Sequence, residues 1–253
     1  GMRFQNTALI EELVSYGYVV FAADHSYGAN ITIFDDGETA PYRAGERRSL
    51  NAGFLNTIDL SQIDILVGDL SYIIDMIRED SSESFLSELP MDKNRIGVIG
   101  HSLGGAVAIS TMAVDSRVGA AMILDGWYAP VPDSVISGGL DNPIYHLGQK
   151  QWSDPGNYLR MDQLLSHSSG PIYKMLIPGT HHTDFTDMPL FTPFSLIIGY
   201  TKILDPVWLN DLMRRNTRTF FDVYLKDQPE IRLKDILHSQ RDVTSYIFTP
   251  PTP

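Results

Sequence analysis

Cysteine is absent from the 253 residues, which excludes a disulfide framework and any thiolate metal site, and leaves the redox compartment unread. Basic charge is scarce: Lys and Arg total 19 against 31 Asp and Glu, for a formal net charge of -12. With no basic stripe to meet phosphates, nucleic acid is not an expected partner. Long apolar runs are lacking too. A stretch such as residues 118–124 (VGAAMIL) falls far short of the roughly 20 residues that cross a bilayer, so no transmembrane segment is expected. The first residues show no charged-then-apolar leader pattern, and the compartment stays open between cytoplasm and secretion. No internal repeat, low-complexity stretch or shift in composition marks a boundary, so residues 1–253 are expected to form a single domain, ending in a proline-rich tail at 249–253 that cannot join a ladder.

What is present alternates between helical and strand patterns. Residues 7–17 combine a capping threonine, apolar residues at helical spacing and a closing glycine, and residues 18–24 (YVVFAAD) then read as a buried strand. Ile63, Leu66, Val67, Leu70, Ile73, Ile74 and Ile77 recur every three or four residues, making one face of a helix. Residues 95–100 and 119–125 read as short buried strands flanking a small-residue helix over 104–114. Residues 143–147 and 174–177 read as two more strands with a helix over 158–167 between them, and 207–225 as a long closing helix. This alternation predicts an α/β fold with a mostly parallel sheet covered by helices on both faces.

The segment GHSLGG at 100–105 fits G-x-S-x-G and lies between an apolar strand and a small-residue helix, the setting in which that pattern raises a serine onto a strained, exposed elbow. Its glycines let the backbone turn and let strand and helix approach. Ser102 is therefore the candidate nucleophile, and the Leu103 amide, at a helix N-terminus, the candidate oxyanion donor. The segment lacks the lysine of a P-loop and the longer glycine fingerprint of nucleotide sites.

A serine needs a general base, and the base an orienting carboxylate. Asp125 ends the strand AAMILD, and His181 and His182 follow the strand at 174–177, so the order is Ser, Asp, His, as in the α/β-hydrolases. His181 competes with His182 for the role of base, and Asp154, the first carboxylate after the next strand, competes with Asp125. His181, His182, Asp184 and Asp187 can also be read as a metal cluster, but adjacent histidines in an extended segment point apart and no third cluster supplies further ligands, so neither metal nor other cofactor is expected. His101 reads as a packed elbow residue. Trp127, Tyr128 and Trp152 follow strand ends, where they suit either a substrate pocket or the core.

These residues resemble the plasma, lipoprotein-associated type of platelet-activating factor acetylhydrolases and their bacterial relatives. The resemblance rests on residues 13–25 (LVSYGYVVFAADH), 95–105 (RIGVIGHSLGG), 123–127 (ILDGW) and 179–187 (GTHHTDFTD). It implies an α/β-hydrolase fold and an esterase triad of Ser102, Asp125 and His182. The resemblance implies a small-molecule ester or a phospholipid as substrate, among them a 1-alkyl-2-acetylglycerophosphocholine. Cutinase-like polyester or short-chain carboxylesterase activity is the alternative, and a catalytically silent hydrolase-fold binding protein the reading from another class. In the resembling family a strand ending in a His-Gly loop, which supplies the second oxyanion amide, precedes the helix matched here by residues 7–16. The resemblance thus implies that the early strands are missing, that the chain is N-terminally shortened, and that a gap lies between residues 18–24 and 95–100.

Overall fold

The structure, a computed structural model, describes residues 2–43, 62–79, 88–192, 194–203, 205–239 and 244–248. Helix α1 (Thr7–Ser15) is followed by a small antiparallel hairpin of β1 (Ile31–Ile33) and β2 (Thr39–Pro41). Then come α2 (Ile63–Arg78), β3 (Ile96–His101), α3 (Leu103–Val114), β4 (Val118–Leu124), α4 (Asp133–Gly138), β5 (Ile144–Gln149), α5 (Pro155–His167) and β6 (Ile172–Ile177). Short helices α6 (Met188–Phe191) and α7 (Phe194–Ile197) lead to α8 (Pro206–Leu225), α9 (Ile231–Ser239) and β7 (Thr244–Phe248).

Local chemistry sets several of these boundaries. The Asp154 carboxylate accepts the Gly156 N–H at the start of α5, and Asp205 accepts the Trp208 N–H at the start of α8; each helix has proline in its first turn, where the missing N–H costs nothing. Helix α2 buries Ile63, Leu66, Ile74 and Ile77 and turns its charged residues outward, as its periodicity predicts.

The main sheet has the order β3-β4-β5-β6-β7, with β3 to β6 parallel and β7 antiparallel to β6. Both faces are covered. On β4, Ala120, Met122 and Leu124 join a core with α1, α8 and α9, whereas Ala121 and Ile123 join a second core with α2, α3 and α5. That division follows from the two-residue period of a strand, and burial on both faces explains why β4 is apolar throughout.

One expected strand is corrected. Residues 18–24 pair with no strand among the described residues, and Val19 and Phe21 are exposed. An apolar run becomes a buried strand only if a neighbour pairs with it, and β3 stands at the sheet edge with no described strand on its outer side. The hairpin and β7 were not foreseen. The tail at 249–253 lies outside the described residues.

Candidate active site

Because β3 to β6 are parallel, their C-terminal ends share one edge of the sheet, and Ser102, Asp125, residues 148–152 and His182 emerge there. This is the edge where open α/β sheets form their sites.

Ser102 links β3 to α3 with φ 60° and ψ -122°, a conformation that L side chains rarely adopt. Its N–H donates to the Leu124 carbonyl at 3.1 Å, while its own carbonyl accepts from Gly105 at 2.9 Å and Trp127 at 3.0 Å. The strained turn is thus tied both to β4 and to the helix it starts. The glycines of the motif are unequal. A Cβ on Gly100 would lie 1.9 Å from the Gly104 carbonyl oxygen, and one on Gly105 would lie 2.9 Å from Ile123 Cγ2, whereas one on Gly104 would meet nothing within 4 Å. Close approach of strand and helix therefore demands Gly100 and Gly105. Leu103 opens α3, and the first amides of a helix have no intrahelical acceptor.

Asp125 also has a positive φ, 42°, so two strained residues follow adjacent strands. Its carboxylate is fully buried and accepts four hydrogen bonds. Oδ1 takes the Gln149 N–H at 2.9 Å and the Trp152 Nε1–H at 3.1 Å, and Oδ2 takes the Gln149 side-chain amide at 2.8 Å and His182 Nδ1–H at 2.6 Å. Burial alone would push this carboxyl up, but the hydrogen bond and charge of His182, with the Gln149 backbone N–H, outweigh it and hold Asp125 below the usual carboxylate range. Gly148 makes room: a Cβ there would sit 2.7 Å from Asp125 Oδ1.

His182 begins a short 3-10 turn, His182–Phe185, after β6. A carboxylate only accepts, so the bond to Asp125 places the ring proton on Nδ1 and leaves the Nε2 lone pair for another group. The ring is held between His101, stacked at 4.5 Å, and Trp152, edge-on at 5.0 Å. His181 is exposed, and its N–H donates to Asp184 at 2.6 Å. Asp184 also accepts from Lys202, and Asp187 from Ala8 at 3.0 Å, so the acidic residues of this segment anchor loops rather than converge with the histidines. Asp154 is spent as the cap of α5. The structure thus brings His182 and Asp125 together and leaves His181 and Asp154 apart from that pair.

Trp127 and Tyr128, which suit a pocket or the core by sequence, belong to the core: they are 1% and 0% exposed, and so placed offer no surface to a ligand. The Tyr128 hydroxyl instead meets His146 Nδ1 at 2.9 Å, on the wholly buried β5. Gln149 and His146 escaped the sequence reading, although two polar residues in a strand otherwise buried and apolar are a legible signal of hydrogen-bonded work inside. Tyr158 steadies the same region by donating to the Gln149 carbonyl.

The family model described as "Platelet-activating factor acetylhydrolase, isoform II" matches residues 76–239, more than half of the chain. Platelet-activating factor acetylhydrolase of Bos taurus is 26% identical over 211 residues, covering 75% of this chain and 46% of that protein. A probable 1-alkyl-2-acetylglycerophosphocholine esterase of Arthroderma benhamiae is 25% identical over 244 residues, covering 89% of this chain and 56% of that protein. The chain therefore spans about half the length of these curated relatives. Among solved structures, a ferulic acid esterase from Streptomyces cinnamoneus superposes with a TM-score of 0.76 at 27% identity, covering 97% of this chain and 71% of that one. The fold is that of an α/β-hydrolase, and the chain belongs to the platelet-activating factor acetylhydrolase, isoform II, family.

Proposed function

We propose that this chain is a serine acylhydrolase in which Ser102 is the nucleophile, His182 the general base and Asp125 the orienting acid. The observation that carries the reading is the 2.6 Å contact between His182 Nδ1 and the fully buried Asp125, formed at the same sheet edge as the strained Ser102 elbow. His182 Nε2 takes the Ser102 proton as Oγ attacks the ester carbonyl, and the tetrahedral oxyanion is met by the Leu103 N–H. The imidazolium returns that proton to the departing alcohol, leaving an acyl-serine. Water, deprotonated by the same nitrogen, then releases the carboxylic acid and restores Ser102. Asp125 fixes the tautomer and opposes the positive charge on the ring.

An ester with an apolar or lipid-like part suits the surroundings. Phe191, Phe194, Ile197 and Ile198, which follow the His182 turn closely in sequence, are 65–74% exposed. A short-acyl phospholipid is the substrate class suggested by the acetylhydrolase relatives. A small aromatic carboxylic ester is the second reading, favoured by the likeness to the ferulic acid esterase over nearly the whole chain. Turnover should be compared on p-nitrophenyl acetate and longer acyl esters, an sn-2 acetyl phospholipid and a feruloyl ester. Preference for the acetyl substrates supports the first reading and preference for the feruloyl ester the second, while absence of turnover on all of them contradicts both.

A further inference from the structure

The N-terminal segment before α1 reaches the site through one side chain. Gln5 Oε1 accepts the Met2 N–H at 3.1 Å, so its amide nitrogen faces the other way, where it lies 3.1 Å from His101 Nδ1. An amide N–H only donates, so His101 Nδ1 accepts and the His101 proton sits on Nε2. That nitrogen lies 3.0 Å from the His182 backbone carbonyl, which only accepts. Met2 N–H, Gln5, His101 and the His182 carbonyl thus form a chain of hydrogen bonds running in one direction, with every proton assigned by its neighbours. Bonds aligned in this way polarise and strengthen one another.

We infer that Gln5 and His101 are positioning residues for the base: they hold the His182 ring in place from its backbone and from its stacked face, while Asp125 holds it from Nδ1. This rests on the reading of Ser102 and His182 as nucleophile and base. His101 suits the task because it stays neutral. Burial, followed by the nearby His182, lowers its pKa to about 3, so it neither competes for the serine proton nor places a second positive charge beside the imidazolium. The anchor on the other side is also built. Residues 5–8 are tied to the segment after His182 by Asp187 N–H to the Gln5 carbonyl at 2.8 Å, Ala8 N–H to Asp187 at 3.0 Å and the Asn6 side chain to the Phe185 carbonyl at 3.0 Å. Gln5 therefore spans from the base loop to the elbow residue beside Ser102. The two adjacent imidazoles hold opposite tautomers, Nε2–H on His101 and Nδ1–H on His182, each set by its own partner.

The test uses Gln5→Leu, His101→Phe and the double variant, read by steady-state ester kinetics, by the rate of fluorophosphonate labelling and by nitrogen NMR of the imidazoles. Gln5→Leu removes the two side-chain bonds, from Met2 and to His101, at a half-buried position with little change of volume, so it keeps the test alive if His101→Phe folds poorly. A small displacement of a reacting group costs on the order of 10- to 100-fold in rate. Each single variant is expected to lose kcat and labelling rate in that range with KM nearly unchanged, since neither side chain touches substrate. The double variant should be no worse than His101→Phe, because Gln5 acts through His101. Nitrogen shifts should report His101 as the neutral Nε2–H form. Unchanged kcat and labelling in the folded single variants, or an Nδ1–H tautomer on His101, would overturn the inference. Failure of the unmodified chain to label at all would instead sink the nucleophile reading on which the inference rests.

Discussion

Gln149 holds Asp125 twice, through its backbone N–H at 2.9 Å and its side-chain amide at 2.8 Å, one bond to each carboxylate oxygen. Two bonds from one residue fix the plane of the carboxylate as well as its position. Oδ2 can then meet His182 Nδ1 only along the line that leaves Nε2 turned away from the acid.

Asp125→Asn should therefore cost on the order of 10³ to 10⁴ in turnover, because an amide donor at Oδ2 favours the wrong imidazole tautomer. Asp154→Asn should cost little, since asparagine caps α5 about as well as aspartate. Steady-state kinetics of both variants decide the placement of the acid; an exchange of the two effects would move it to Asp154.

His182→Ala should be about as damaging as Ser102→Ala, because nucleophile and base act as a unit, whereas His181→Ala should retain most activity. His181 is exposed, and it is His182 whose Nδ1 bonds to Asp125. The reverse ranking in ester turnover would make His181 the base.

Gly100→Ala should abolish folding, because its Cβ would overlap the Gly104 carbonyl at 1.9 Å, backbone against backbone. Gly104→Ala meets nothing within 4 Å and should leave the fold intact, with a gain of up to about 1 kcal/mol from helix propensity. Soluble yield and thermal midpoint separate the two, and a well-folded Gly100→Ala protein would contradict the elbow geometry.

Acid should weaken the fold through its buried histidines. His146 is fully buried, and burial lowers its pKa to about 4 despite the opposing charges of Asp125 and Asp162, with Lys174 adding to the lowering. Between pH 6.5 and 4 the unfolded chain binds that proton and the folded chain does not, so stability is full above about 6.5 and falls as pH drops, by about 1.4 kcal/mol per pH unit for each such group. His101 acts with the same sign. Urea midpoints across this range should fall less steeply for His146→Phe than for the unmodified chain. Parallel curves would contradict the neutral assignment.

The elbow and the Ser, Asp, His order were legible because each follows the end of a strand, and strand ends show as apolar runs that stop. The 18–24 segment misled because an apolar run records hydrophobicity and says nothing of a pairing partner. The Gln5–His101 contact joins residues 96 positions apart, and Gln149 to Asp125 joins residues 24 apart. No local pattern encodes either, since polar partners across a fold need only meet in space. The unequal roles of Gly100 and Gly104 were hidden for the same reason, as the sequence records two glycines and not what their missing Cβ atoms would strike.

The central claim is that Ser102 is an activated nucleophile, and the most direct measurement is intact-mass and peptide-mapping analysis after reaction with a fluorophosphonate. The account predicts one covalent adduct per chain, mapped to Ser102, absent from Ser102→Ala and strongly slowed in His182→Ala. An unlabelled chain, or an adduct on another residue that persists in Ser102→Ala, would contradict it.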